Sequence, residues 1–328
     1  MELEIKKAIV HVLDQDASAP VFSDKLLELE PEETDYIESH LEKAYYNDAG
    51  KNCTFLPESN FPALLLENDD FIKASKQIAE RFFNVMQEYP SIPSADLFVV
   101  LCNIEGHECV AMLKMNYKAA FAHYYRQVEG CHYNALIKQR TILPPVSSKP
   151  DESVIVDMTN GCIRLVEKKY ELDGVKGFYL SERVLKSTQS QTERVRLQAV
   201  QTAAIEAVKQ DYDETKQLEC EVTTILAEEA VAGGGNLQVE KLRDRLEESF
   251  PLAVATFDKE LENTGIAIKE QVQVPPARIK KMEYQSIKTE SGIEMKIPTN
   301  LLVGENEYVE FINTPDGTIN LLIKGVLI

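Results

Sequence analysis

The side chains in this sequence whose types could do chemistry are few and scattered. His107, Cys109, Cys131 and His132 are all zinc-ligating types. A zinc site usually carries a local clip, such as Cys-x-x-Cys or His-x-x-x-His, that lets the chain close around the ion. These four residues form no such clip, and His107 and Cys109 fall at a turn and its edge, so core thiols and turn histidines are the expected reading. Cys131-His132 sets a nucleophile beside a base, but adjacent residues seldom point at each other, and no third group marks an orienting partner. Gly233-Gly234-Gly235 invites comparison with a phosphate loop. It follows a helical stretch and leads into Asn236-Leu237, without the lysine and hydroxyl that hold phosphate and magnesium. A flexible linker is expected there. Carboxylate pairs such as Asp69-Asp70 carry no information in a chain with 54 acidic residues. The sequence predicts no catalytic residue, no metal site and no cofactor.

Charge is more informative. The chain has 35 basic and 54 acidic residues and a formal charge of −19. A uniformly acidic surface repels phosphate backbones and anionic lipid, so any nucleic-acid contact must come from a locally basic face or through a partner. The densest basic window runs from Pro275 to Asn300. It holds Arg278, Lys280, Lys281, Lys288 and Lys296 against Glu283, Glu290 and Glu294, locally +2. Read as strands, the window places Lys280 opposite Lys281, so that only part of the set shares a face. Tyr284 can supply a stacking group. The second candidate is the first half of a long helix from Ser181 to Asp211, with Arg183, Lys186, Arg194 and Arg196 beside Gln189, Ser190 and Gln191. For any one of these residues a solvated surface is the bland alternative. The pair Leu237–Phe250 and Leu252–Glu262 has the length of a helix-turn-helix. Its second member carries Asp258, Glu260 and Glu262 against Lys259, and those carboxylates would face the phosphates. A helical hairpin packed on the C-terminal sheet is expected instead.

The elements that must position these groups follow from periodicity. Ile5–Leu13 reads as a strand. Glu28 to Thr34 leads into a helix with Ile37, Leu41, Ala44 and Tyr45 at helical spacing, and Asp69–Tyr89 is a second helix ending before Pro90. Ala95–Ile104 and Cys109–Met115 flank a short polar turn and form the central hairpin of an N-terminal sheet. Periodicity does not decide whether Tyr117–Gln127 is helix or strand; Ile137–Leu143 reads as a strand. Val154–Met158 and Cys162–Val166 flank an Asn-Gly turn. A helix from Glu214 to Ala230 precedes the glycines. Strands follow near Ile266–Val274, Met282–Thr289, Glu294–Ile297, Tyr308–Ile312 and Ile319–Ile323, with Thr314–Gly317 as the last turn. The expected class is α+β in two domains. Residues 1–177 make an N-terminal domain with a mixed or antiparallel sheet and helices. Residues 178–328 make a helical segment followed by a small antiparallel sheet. The acidic start Met1-Glu2-Leu3-Glu4 and the lack of a bilayer-length apolar run predict a cytoplasmic protein with no membrane partner. Six cysteines spread over such a chain read as free thiols.

Taken in order, these segments resemble a known family. The carriers are Ile5-Lys6-Lys7-Ala8-Ile9-Val10-His11, the hairpin Leu97–Met115 and the helix carrying Leu197-Gln198-Ala199-Val200. Phe257 to Gly265, the strand block, Leu301-Leu302-Val303-Gly304-Glu305 and Leu322-Ile323-Lys324-Gly325 complete the pattern. The chain is similar along nearly its whole length to bacterial nucleoid-associated proteins of the NdpA family. The resemblance implies a non-enzymatic protein of the nucleoid that binds DNA or associates with proteins acting on it, topoisomerases among them. It supplies no binding residues. The candidates therefore remain this sequence's own basic side chains, with an acidic adaptor that meets partner proteins without touching DNA as the alternative.

Overall fold

In the computed structural model the described residues are 2–66, 70–128, 131–212, 216–288, 292–298, 301, 308–313 and 319–325. The fold is α+β, and the chain divides into two compact units, Met1–Gln191 and Thr192–Ile328.

The first unit is built on a six-stranded sheet. Its strands are β1 (Leu3–Leu13), β2 (Lys51–Cys53), β3 (Ala95–Ile104), β4 (His107–Asn116), β7 (Glu152–Asp157) and β8 (Ile163–Val166), in the order β1-β3-β4-β7-β8-β2. Every pairing is antiparallel. The expected hairpin is β3–β4, turned by Glu105 and Gly106, both at positive φ. Helix α1 (Pro31–Tyr45) covers one face, where Ile37, Leu41 and Ala44 meet Phe98, Val100, Ala111 and Leu113. Helices α2 (Phe61–Leu66) and α3 (Phe71–Glu88) cover the other, where Phe61, Ile78, Phe82 and Met86 meet Leu97, Val99, Val110 and Met112. Burial on both faces explains why β3 and β4 are apolar without alternation.

Lys114, Glu152 and His11 are among the polar side chains buried in this unit. Lys114 and Glu152 lie directly opposite each other across β4 and β7, at 1% and 0% side-chain exposure, and pair at 2.9 Å. The lysine also donates to Asn116 Oδ1 at 2.5 Å and to the Pro93 carbonyl at 3.1 Å, and Tyr170 donates to Glu152 at 3.2 Å. Burial pushes the Lys114 amine below its usual range, and Glu152 opposes that shift. His11, on β1, is fully buried. Its Nδ1 accepts from the Ser23 amide at 3.1 Å, so Nε2 carries the proton and donates to Ser75 Oγ at 2.9 Å.

Strand β5 (Lys118–Val128) resolves the segment that periodicity left open, and β6 (Cys131–Ile142) contains most of the strand expected at Ile137–Leu143. They form a two-stranded ribbon separate from the main sheet. A small hairpin, β9 (Tyr170–Leu172) with β10 (Val175–Gly177), follows. The helix expected from Ser181 is interrupted. Leu180–Leu185 is a single π-helical turn that ends at Lys186 in the left-handed conformation, φ 51°. Ser187 then bridges to Phe55. Leu180, Val184 and Leu185 belong to the core of the first unit, so residues 178–191 pack there. Glu167 holds this stretch by accepting from the Ser181 amide and hydroxyl, at 3.0 and 2.9 Å, and from Lys51 at 2.9 Å. The physical reason for the break is the polar run Ser187-Thr188-Gln189-Ser190, in which the Thr188 hydroxyl accepts from the Thr54 amide and the Ser190 hydroxyl donates to the Asn52 carbonyl.

The second unit begins at Thr192, which caps α4 (Glu193–Asp211) by accepting from the Val195 amide. Its core joins α4 to α5 (Lys216–Ala232), α6 (Val239–Ser249) and α7 (Val254–Thr264), through Val200, Ala204, Ala207, Leu226, Leu242, Phe257 and Leu261. Helix α7 packs mainly on α4, not on the C-terminal strands as expected. The strands form three separate pairs. These are β11 (Asn236–Gln238) with β12 (Gln271–Gln273), β13 (Tyr284–Lys288) with β14 (Glu294–Pro298), and β15 (Val309–Asn313) with β16 (Ile319–Ile323). The turn placed at Thr314–Gly317 lies outside the described residues.

Two predictions follow from the buried polar groups. Lys114→Met leaves the Glu152 carboxylate buried without its cation, and is expected to cost about 3–5 kcal/mol in denaturant unfolding. Lys114→Met/Glu152→Leu should recover most of that loss. Burial, with Lys76 adding to it, lowers the His11 pKa from 6.5 to about 4. The unfolded chain thus binds the extra proton first. The stability this neutral ring contributes is full above pH 6.5 and is lost as pH falls toward 4, on the order of 3 kcal/mol. The stability gap between wild type and His11→Gln should therefore shrink across that window, as read by urea midpoints at several pH values.

Candidate nucleic-acid interface

The basic window near Arg278 keeps the strand pair its sequence predicts, β13 with β14, but opens with a helix. Pro276–Met282 is a short helix, α8, with Pro276 in its first turn. Ile279 and Met282 turn toward the core of the second unit. The helix changes which cations share a face. Arg278 and Lys281 are three residues apart and project together, whereas strand alternation assigned them to opposite sides. Lys280 is exposed on the adjoining side of α8. Lys296 lies exposed on β14, paired through the backbone with Ser286. The side chain of Lys288 lies outside the described residues.

The second basic set is divided by the break before α4. Arg183 and Lys186 belong to the first unit, where Arg183 pairs with Asp173 at 3.1 Å. Arg194 and Arg196 belong to the second unit and behave differently. Arg196 is held by Glu193 at 2.9 Å and by Glu270 at 2.5 Å, and it donates to the Gln271 carbonyl at 3.1 Å. Glu193 is buried and also accepts from the Gln273 amide at 2.8 Å. Arg196 therefore ties α4 to β12. Arg194 is exposed and, among the described residues, has no carboxylate partner.

Arg194, Arg278 and Lys281 meet in one groove of the second unit, with a volume of about 460 Å³. Helix α4 contributes Arg194, Gln198 and Gln201 to one wall. Helix α5 supplies Glu219 and Thr223, and α8 with the start of β13 supplies Arg278, Lys281 and Tyr284. The one carboxylate in this lining, Glu219, is engaged by Lys209 at 2.8 Å. Among the described residues no acidic side chain pairs with the three cations. The groove thus gathers two residues of one basic cluster and one of the other, about eighty positions apart in sequence. Gln198 and Gln201 are the members that sequence reading missed. Their spacing from Arg194 along a helix was the available signal.

The remaining constellations have structural roles. His107 pairs with Asp157 at 3.0 Å. Cys109 faces the core, where burial pushes its thiol up to about 11. His132 stacks on Tyr125 of the ribbon, and the Cys131 side chain lies outside the described residues. No group of three or more His, Cys, Asp or Glu side chains is placed to hold a metal ion among the described residues. The triple glycine is an ordered turn, not a flexible linker. The amides of Gly233, Gly234 and Gly235 bond to carbonyls of α5, and a β-carbon at Gly233 would stand 2.0 Å from the Asn236 carbonyl oxygen. Those amides are thus already engaged. Asp70 caps α3 by accepting from the Lys73 amide, and Asp69 lies outside the described residues. On α7, Asp258 takes three hydrogen bonds from Arg243, which fixes α7 to α6. No helix among the described residues is long and apolar enough to cross a membrane.

These observations define an α+β protein of two units, the second of which gathers Arg194, Arg278 and Lys281 in one groove. The sequence profile of the nucleoid-associated protein YejK family matches residues 9–327. The chain belongs to that family, which places it among nucleoid-associated proteins. No curated protein matches it.

The two arginines of α4 should separate in mutagenesis. Arg196→Ala strands the buried Glu193 carboxylate and is expected to destabilise the protein by about 2–3 kcal/mol. Arg194→Ala should stay within about 0.5 kcal/mol of wild type in the same denaturant titration.

Proposed function

We propose that the protein is a non-enzymatic component of the bacterial nucleoid that contacts DNA directly, through phosphates seated against Arg194, Arg278 and Lys281. The reading is carried by the convergence of these three cations, free of acidic partners among the described residues, in a chain whose formal charge is −19. The amides of Gln198 and Gln201 and the exposed Tyr284 add hydrogen-bonding and stacking groups of the kinds that meet sugar, phosphate and bases. Lys280 and Lys296 flank the groove in sequence and extend its positive character. The reading requires no cofactor, and it places the protein in the cytoplasm at the nucleoid.

The acidic surface favours a second role, as an adaptor for proteins that act on DNA, topoisomerase subunits being the expected type. Complementary fields speed association with basic partners. A topoisomerase subunit recovered with the protein after nuclease treatment, with no duplex binding by the protein itself, would favour the adaptor over the groove.

Duplex binding followed by fluorescence anisotropy across a salt series tests the groove. Wild type is expected to lose affinity steeply with salt. Arg194→Glu/Arg278→Glu/Lys281→Glu should lower affinity by at least about tenfold and reduce the salt slope by about 2–3, at roughly 0.9 per phosphate contact. A triple variant that binds like wild type removes the groove from the interface.

A further inference from the structure

The β5–β6 ribbon belongs to the first unit and is distinct from the groove. Isolated two-stranded ribbons are marginal in water, yet this one runs for about ten residue pairs with little other support. Its residues from Lys118 to Thr141 whose burial is described are exposed, except for half-buried Ala135. Phe121, Tyr125 and Leu136 are 70%, 54% and 76% exposed, a run of apolar surface that proteins seldom leave bare without a partner.

The ribbon also reverses the charge of the chain. Residues 118–142 contain Lys118, Arg126, Lys138 and Arg140 against the single acid Glu129, while the whole protein stands at −19. Lys118 is paired with Asp151 at 3.7 Å. Among the described residues, Arg126, Lys138 and Arg140 have no carboxylate partner. Arg126 is held over the Tyr124 ring at 5.0 Å and Lys138 over the Phe121 ring at 5.9 Å, which limits the side-chain entropy that binding would cost. In the antiparallel register, paired residues share a face. Phe121–Lys138, His123–Leu136 and Tyr125–Asn134 therefore lie on one side, and Ala122–Ile137, Tyr124–Ala135 and Arg126–Tyr133 on the other. Both faces carry a cation, aromatic rings and apolar surface.

We propose that the β5–β6 ribbon is a second DNA-binding element that inserts into the major groove of duplex DNA. A protein surface would cover one face of the ribbon. A groove encloses both, and the major groove, about 12 Å wide, admits a two-stranded β-ribbon. Arg126, Lys138 and Arg140 meet phosphates on the groove walls or guanine edges. Asn134 presents an amide to base edges, and Phe121 and Leu136 present apolar surface to thymine methyls. A second copy of the chain is the poorer occupant, because pairing two ribbons brings their arginines and lysines together without carboxylates. The ligand is the one proposed for the groove, so this inference shares that reading's claim on DNA but not its residues.

The test uses the full chain and a 30-base-pair duplex. Binding is followed by anisotropy against salt, guanine N7 reactivity toward dimethyl sulfate reports the major groove, and sedimentation velocity reports mass. For Arg126→Ser/Lys138→Ser/Arg140→Ser the expected result is a loss of at least about tenfold in affinity and about 2–3 in salt slope. The N7 protection seen with wild type should disappear, at unchanged mass. Phe121→Ser/Leu136→Ser should weaken binding while leaving the slope intact. The groove triple variant should keep the N7 protection. Wild-type affinity and protection in the ribbon charge variant would overturn the proposal and leave the groove standing. So would a fall in mass for the apolar variant with DNA binding unchanged, since that assigns the ribbon to a second copy. Loss in the ribbon variant alone removes the groove and keeps the ribbon. Failure of wild type to bind overturns both.

Discussion

The architecture of the first unit depends on one buried ion pair. Lys114 and Glu152 face each other at the middle of a sheet covered on both sides, where an unpaired charge would be prohibitive. The lysine has three protons to place. It gives them to Glu152, to Asn116 and to the carbonyl of Pro93, so the pair fixes the turn before β3 as well as the β4–β7 register. A slip of one residue would set Lys114 against Ser153 and exchange the faces of Val154 and Ile155, which serve opposite cores. A pair so costly to desolvate contributes little net stability. Its effect is to make the wrong registers worse. Because β8 and β2 are built outward from β7, the placement of half the sheet follows from it.

The same separation, between charges that hold the fold and charges left over, organises the second unit. Arg196 and Arg243 are engaged by carboxylates and tie helices or strands to one another, whereas Arg194, two residues from Arg196, has no such role. Basic content alone cannot make this distinction. It appears only when each cation is matched to its partner, and the groove is what remains once the structural arginines are set aside.

How far the sequence was legible depended on whether a local rule governed the segment. The β3–β4 hairpin was legible because two apolar runs flank a Glu-Gly turn, and α1 and α3 because their apolar residues recur at helical spacing. The break at Lys186 was obscure because the chain enters the left-handed region there without a glycine or proline, so the Arg183-to-Arg196 stretch reads as one basic helix. Helix α8 is too short to show a period, and the strand-like residues around it hid the fact that Arg278 and Lys281 share a side. Strand β5 left no alternation to read because neither face of the ribbon is buried, and of β6 only the Ile137–Leu143 end was legible. The groove itself was out of reach of local rules, since α4 and α8 come together only through the packing of Leu197, Leu226 and Met282 into one core.

Net charge and local charge act over different distances, and that difference makes the proposed phosphate contact compatible with an acidic chain. At physiological salt the Debye length is about 8 Å, so carboxylates beyond the immediate surroundings of Arg194, Arg278 and Lys281 are largely screened from an anion seated among them. On the proposed reading, the −19 charge governs encounter, slowing the approach of DNA and favouring basic protein partners, while the short-range set governs the contact once made. Glu219 is the test of this argument within the groove, being close enough to escape screening. Its engagement by Lys209 within the unit limits how far its negative field offsets the three cations.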